Sequence, residues 1–163
     1  MKKKKLLLLK KIDLKNDISE KYLKWMNDLE VHKYTKQKYK KHSLEDIRNF
    51  VREKNKSKRE YLYGIFIKKK KSNIHIGNIK LGPIKWYYKL AYISYFIGEK
   101  NLWGKGYTTL AIMQMIKKAK NKKLKKLKAI FHNKNVGSKK VLVKCGFKIE
   151  KRFKSEKIYS INL

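Results

Sequence analysis

The chain has 163 residues, 42% of them hydrophobic, enough to bury one core and too apolar for a disordered chain; a single domain over residues 1–163 is expected. Its net charge of +34 invites polyanions, yet of 46 basic residues only Arg48, Arg52, Arg59 and Arg152 are arginine, and specific phosphate and base readout draws on the arginine fork. The lysine excess fits biased base composition, so nucleic acid is set aside as the main partner. Cys145 is the one cysteine, which excludes an internal disulfide and a cysteine-based metal cluster; no metal is expected. The opening MKKKKLLLLKK imitates a leader, but Leu6–Leu9 is too short an apolar run and no small-residue cleavage site follows. Nor does any stretch approach the roughly 20 apolar residues of a membrane span. A cytoplasmic protein without membrane contact is the expectation.

In chain order, Leu6–Ile12 predicts a first strand. Asp17 and Glu20 form a cap pair ahead of Ile18, Tyr22, Trp25, Met26 and Leu29 at helical spacing, ending a helix near Asn27–Asp28. A basic loop, His32–His42, carries Tyr34 and Tyr39. Ser43-Leu44-Glu45-Asp46 opens a second helix in capping-box style, with Leu44, Ile47, Phe50 and Val51 as its buried face. Tyr61–Ile67 is a continuous apolar run suited to a strand covered on both faces. Strands Ile74–Leu81, ended by Gly82-Pro83, and Leu90–Ile97 follow across short turns, an antiparallel meander. Tyr107–Ala119 is a helix apolar nearly all round, expected to lie buried on a sheet. Asn121–Lys128 is a basic connection, Lys128–His132 a short strand and Ser138–Cys145 a short helix. Gly146 stands where a left-handed residue ends that helix, with Phe147 folding back on Leu142. Lys148–Phe153 and Lys157–Leu163 close the sheet. The order is βααβββαβαββ, an α+β fold with a mixed, mostly antiparallel sheet.

One stretch carries chemistry. Between the strand ending at Ile97 and the helix opening at Tyr107 lie Gly104 and Gly106, flanking Lys105. A strand that feeds a Gly-x-Gly turn into a helix start is a physical device for holding phosphate. The glycines let the backbone approach, and the first helical N–H groups have no internal acceptors. Lys100 and Lys105 add charge.

Three segments together resemble the GNAT N-acetyltransferases. Asn101-Leu102-Trp103-Gly104-Lys105-Gly106 resembles their pyrophosphate-binding [R/Q]-x-x-G-x-[G/A], with Asn in the leading place. Asn135-Val136-Gly137-Ser138 precedes Val141-Leu142-Val143-Lys144-Cys145-Gly146-Phe147 at the family spacing. Trp25-Met26-Asn27-Asp28-Leu29-Glu30-Val31 is similar to a W-x-N-D-P-E-V segment of the branch of ribosomal-protein N-terminal acetyltransferases and amino-sugar N-acetyltransferases.

The resemblance implies the GNAT fold and acetyl-CoA as co-substrate. It assigns the pyrophosphate to Gly104, Lys105, Gly106, Tyr107 and Thr108. A bulge would splay the fourth and fifth strands, and the pantetheine arm would pair with the backbone of Tyr95, Phe96 and Ile97. Asn135 would bond that arm, or else cap the next helix. Many relatives carry an acid tyrosine in Y-x-K-x-G-F; none stands before Lys144 here, leaving Ser138 as the candidate donor to the departing thiolate. Where relatives often have a basic Glu this chain has Tyr92, so His132 is a candidate base, beside His75 and a water relay. Trp25, Asn27, Asp28 and Glu30 would form the substrate side, the two carboxylates steering a cationic amine. The implied acceptor is a small-molecule amine, on an amino-sugar nucleotide, or a protein N-terminus, and the implied assembly a monomer or homodimer. Two other readings remain open at this point: a non-catalytic basic module for RNA or ribosomes, and a GNAT fold that binds acetyl-CoA without turnover.

Overall fold

Alternating apolar residues lay seven strands side by side, and helices cover both faces of the sheet. The computed structural model describes residues 6–163, so the basic head of the opening segment lies outside the described residues. The elements are β1 (Leu7–Lys11), α1 (Glu20–Asn27), α2 (Leu44–Lys56), β2 (Tyr61–Ile67), β3 (Ile74–Lys85), β4 (Leu90–Ile97), α3 (Tyr107–Asn121), β5 (Lys126–His132), α4 (Val136–Lys144), β6 (Lys148–Arg152) and β7 (Glu156–Asn162). This is the expected βααβββαβαββ order. The sheet runs β1-β2-β3-β4-β5-β7-β6. Every neighbouring pair is antiparallel except β4 with β5.

Strand alternation divides the core in two. On one face Ile79, Leu81, Ala91, Ile93 and Leu127 pack under α3 and α4, through Ala111, Ile112, Met115 and Leu142. On the other, Ile12, Leu62 and Phe96 meet α1 and α2 through Tyr22, Trp25, Ile47 and Val51. Ile112 and Met115 are wholly buried, each contributing about 1.5–3 kcal/mol. Trp25 is seated by Gly98, where a Cβ would fall 2.1 Å from the indole. Its indole N–H donates to Glu99 Oε1 at 3.3 Å.

The local signals hold where they are chemical. Ser43 and Asp46 form the reciprocal capping box of α2. At the end of α4, Phe147 N–H donates to Leu142 O and Gly146 N–H to Val143 O, both at 3.0 Å, the Schellman pattern, with Gly146 at φ +88°. Elsewhere tertiary packing overrides the sequence expectation. Ser19, not Asp17, caps α1, accepting from Tyr22 N–H at 3.3 Å. Asp17 instead accepts from Asp13 N–H and pairs with Lys10. Phe50 is exposed and lies against the Lys54 ammonium. Gly82-Pro83 does not end β3; the strand continues to Lys85 across a register shift. β5 starts at Lys126, because β4 and β7 both offer it a ladder there. α3 is not buried all round, since Met113, one of its apolar residues, faces solvent.

Candidate functional site

The site begins where a ladder stops. Parallel pairing of β4 with β5 runs from Leu90–Lys126 only to Tyr92–Lys128. Past that point β5 stays with β7 to His132, and β4 stays with β3 to Ile97. Each strand is held on its outer side and freed on its inner side, so the two diverge. The irregularity lies on β3: Leu81 to Ile84 spans one residue more than the facing Ala91 to Ile93, and such an insertion increases local twist. The fork leaves the β5-facing backbone of β4 open beyond Tyr92.

A cavity of about 600 Å³ fills the fork. Strand β4 contributes Tyr95, Phe96 and Ile97; the following turn contributes Leu102, Trp103, Gly104 and Gly106. Helix α3 adds Tyr107, Thr108 and Thr109, α4 with its cap adds Asn135, Gly137, Ser138, Lys140, Val141 and Lys144, and the loop after α1 adds Glu30, Lys33 and Tyr34.

The glycine turn is pinned at one end. Trp103 indole N–H donates to Ile97 O at 2.8 Å, tying the turn to the last residue of β4. Gly104 and Gly106 hold φ +70° and +83°, and a Cβ at either would meet nothing within 4 Å. Glycine is therefore required here by backbone conformation, and the space in front of it is empty. No side chain caps α3, so the N–H groups of Thr108 and Thr109 face the cavity without an acceptor inside their own helix. With the positive end of the helix dipole, this is an anion cradle.

On the opposite wall, Asn135 is the cap of α4, its Oδ1 accepting Ser138 N–H at 3.0 Å, and it also lines the cavity. Ser138 and Tyr95 both line the cavity, and the Tyr95 hydroxyl oxygen itself is buried. Burial pushes that phenol up to about 12, partly offset by the Ser138 side chain. Leu142 is buried and Val143 is exposed, so α4 supplies no phenol. Cys145 is buried with Sγ directed at Thr109 O at 3.7 Å, and burial pushes its thiol up.

The expected substrate side is only partly assembled. Glu30 lines the cavity; Trp25 and Asn27 do not. Asn27 is a staple: its side chain accepts His42 N–H at 2.8 Å and donates to His42 O at 2.9 Å, closing the basic loop. Lys100 bridges Asp28 and Glu30, each at 2.9 Å, and its ammonium holds Asp28 below the usual carboxylate range. Lys100 thus sits with these carboxylates, and Lys105 is outside the cavity lining.

Neither candidate base stands in the cavity. His132 stacks on Tyr34 at 5.7 Å between ring centres and accepts Lys134 N–H through Nδ1 at 3.2 Å. A neutral ring accepting at Nδ1 carries its proton on Nε2. His75 is packed by Tyr22, Trp25 and Phe66, its Nε2 near Gly77 O at 3.0 Å and Asn78 Oδ1 at 2.8 Å. Burial lowers its pKa.

A cavity residue that the sequence did not single out is Lys140, four before Lys144 and so on the same face of α4; His32, outside the cavity lining, is buried against Phe96 with its pKa lowered chiefly by burial. Among the described residues no cluster of His, Cys, Asp or Glu could hold a metal ion, and no helix is long and apolar enough to cross a membrane.

Comparison with known proteins agrees with this geometry. A family model described as an acetyltransferase (GNAT) domain matches residues 7–148. No curated protein matches the chain. Among solved structures, a GNAT-family acetyltransferase from Bacillus anthracis aligns at TM-score 0.81 and 25% identity, over 98% of this chain and 96% of that one. The microcin self-immunity acetyltransferase MccE, in complex with acetyl-CoA and AMP, aligns at TM-score 0.80 and 22% identity, over 96% and 92%. The ribosomal-protein α-N-acetyltransferase RimL, in complex with coenzyme A, aligns at TM-score 0.82 and 19% identity, over 96% and 94%.

Proposed function

The chain belongs to the GNAT acetyltransferase family, and from that premise we propose that it moves the acetyl group of acetyl-CoA to a primary amine by direct attack on the thioester. The acceptor in this reading is an amino-sugar nucleotide, with a protein N-terminus as the alternative.

The observation that carries the proposal is the fork between β4 and β5, which opens one continuous cavity from the Gly104–Thr108 cradle to Asn135 and Ser138. In this scheme the cradle holds the pyrophosphate on backbone N–H groups. The pantetheine arm takes the ladder positions that β5 vacates along Tyr95–Ile97, and Asn135 supports it. Strand N–H groups polarise the thioester carbonyl; being fixed before the reaction, they stabilise the oxyanion without reorganising. The amine loses its proton to solvent, because His132 stands outside the cavity lining with its Nδ1 engaged by Lys134 N–H.

Charge favours an anionic acceptor. Lys33, Lys140 and Lys144 line the cavity, whereas Lys100 offsets one of the two negative charges of Asp28 and Glu30. The AMP held by MccE is in keeping with a nucleotide-bearing acceptor here. The test is CoA release with an aminodeoxy-sugar nucleotide, an N-terminal peptide and spermidine in parallel. The sugar nucleotide should give the highest kcat/KM. Preference for spermidine would overturn the acceptor assignment, and failure of the folded protein to bind acetyl-CoA would overturn the activity.

A further inference from the structure

The β3–β4 hairpin ends in three consecutive outer rings. Trp86, Tyr87 and Tyr88 form one turn of 3-10 helix between the strands, and all three are exposed, Tyr87 to 90%. Elsewhere the chain lays lysine ammonium groups over its outer rings, as at Tyr39, Phe50, Tyr61 and Phe153; among the described residues none lies over these three. Tyr87 and Tyr88 meet edge to face with centroids 5.1 Å apart, so flat faces are left bare. The tip is also anchored. Trp86 indole N–H donates to Lys58 O at 3.3 Å, Ile84 N–H to Arg59 O at 2.8 Å, Lys89 N–H to Trp86 O at 3.0 Å and Lys125 N–H to Lys89 O at 2.7 Å. The rings are thus placed before anything binds, which lowers the ordering cost of binding.

Charge around the tip has one sign. Lys58, Arg59, Lys85 and Lys89 are exposed and make no ion pair among the described residues. Between Glu60 and Glu99, and again between Glu99 and Glu150, the chain has no acidic side chain. Glu60 is itself shared by Lys54 and Lys80, and Glu150 by Lys126 and Lys128. Bare rings among uncompensated cations match a strand of phosphates carrying unpaired bases. Stacking of bases on aromatic rings is tolerant of sequence, and lysine meets phosphate as a point charge without the arginine fork. Ile84 is buried and Leu90 half-buried, so the tip has no aliphatic wedge for a bilayer. An acidic peptide would engage the cations but brings no obligatory flat group to the rings. Unpaired bases are the usual recognition surface of RNA, and exposed phenols can bond its 2′-hydroxyl.

We infer that the Trp86–Tyr88 tip and its flanking cations dock single-stranded RNA, with unpaired bases stacked on the rings. The tip precedes β4, whose far end lines the cavity; Leu90 and Tyr95 are about 17 Å apart by strand rise, so bound RNA leaves the cavity open. This surface is independent of the acetyltransferase reading.

The experiment is fluorescence anisotropy with a labelled, unstructured RNA of about 12 nucleotides in about 0.15 M salt. An abasic strand of the same length, a duplex RNA with as many phosphates and the same sequence in DNA run beside it. The wild-type protein should bind the RNA strand about tenfold more tightly than the abasic strand, and more tightly than the duplex or the DNA. Tyr87→Ala with Tyr88→Ala, at positions too exposed to disturb the fold, should weaken RNA binding about tenfold or more and leave its salt dependence unchanged. Lys58→Gln with Lys85→Gln should instead lower the slope of log affinity against log salt by about 1.4, at about 0.7 for each phosphate contact. Both double variants should bind acetyl-CoA within about twofold of the wild-type protein. Equal affinity for the abasic strand, or full affinity in the tyrosine variant, overturns the inference and leaves charge alone. A DNA strand bound as tightly overturns the choice of RNA. Vesicles of phosphatidylserine and phosphatidylcholine, or polyglutamate, bound more tightly than the RNA and released by the tyrosine variant, would give the tip to a membrane or to an acidic protein.

Discussion

Gly106 is the position where stability and ligand affinity should separate most cleanly. It caps α3 at φ +83° and ψ 4°, and a Cβ there meets no heavy atom within 4 Å. Gly106→Ala therefore causes no clash in the free protein. Its cost is left-handed backbone for an L-residue, about 1–2 kcal/mol, or a Tm lower by about 2–8 °C for a chain of this size. That strain is present with and without ligand and cancels from the dissociation constant. The new methyl projects into the empty space before the helix start, where a phosphate oxygen must come within about 3 Å of the N–H groups. A hydrogen bond to a charged group contributes about 1.5–3 kcal/mol, so losing one weakens acetyl-CoA binding by about tenfold or more. Urea unfolding measures the first effect. Calorimetric titration with acetyl-CoA at about 0.3 M salt, where long-range attraction to this basic surface is screened, measures the second. Reduced stability with unchanged affinity would refute the cradle. Unchanged stability would refute the backbone argument.

Gly98→Ala drives a Cβ into the Trp25 indole, and should destabilise by about 3 kcal/mol, read as a lower urea midpoint at constant m-value. Lys100→Ala frees the carboxylates of Asp28 and Glu30, so kcat/KM for spermidine should rise while that for an anionic acceptor falls, both effects shrinking as salt is raised. Lys126 and Lys128 hold Glu150 at about 2, against about 4.3 unfolded. The stability this contributes is complete above about pH 4.3 and lost as pH falls toward 2, no more than about 1 kcal/mol for so exposed a group. Glu150→Gln should flatten acid unfolding across that window. His75→Ala should cost about 2 kcal/mol of stability through lost packing and hydrogen bonds yet leave the acid limb of the kcat/KM profile in place; loss of that limb would make His75 a base after all.

The basic surface, which dominates the composition, says little about the site. Lys54 lies buried between Glu53 and Glu60, and Lys80 also reaches Glu60. Lys118 and Lys122 lie over the rings of Tyr63 and Tyr61. Such lysines cover apolar surface with their stems. Only those that line the cavity bear on the ligand.

Local chemistry was legible in the sequence wherever it acts over a few residues. The Ser43–Asp46 box, the Gly146 cap, the Gly104–Gly106 turn and the element order follow from spacing, because hydrogen bonds to a neighbouring turn need no distant partner. Distant pairing was not legible. The splay of β4 from β5 was implied by the family resemblance alone; nothing in the residues of Leu90–Ile97 announces that the ladder ends at Tyr92, since that depends on where β7 and β3 hold the two strands. Nor could spacing show that Asp28 and Glu30 share Lys100, or that His132 is occupied by Lys134. The sequence by itself determined the elements, their caps and the phosphate turn. The tertiary structure decided which side chains line the fork, because bringing β4 and α4, far apart in the chain, to one cavity is the work of packing rather than of local conformation.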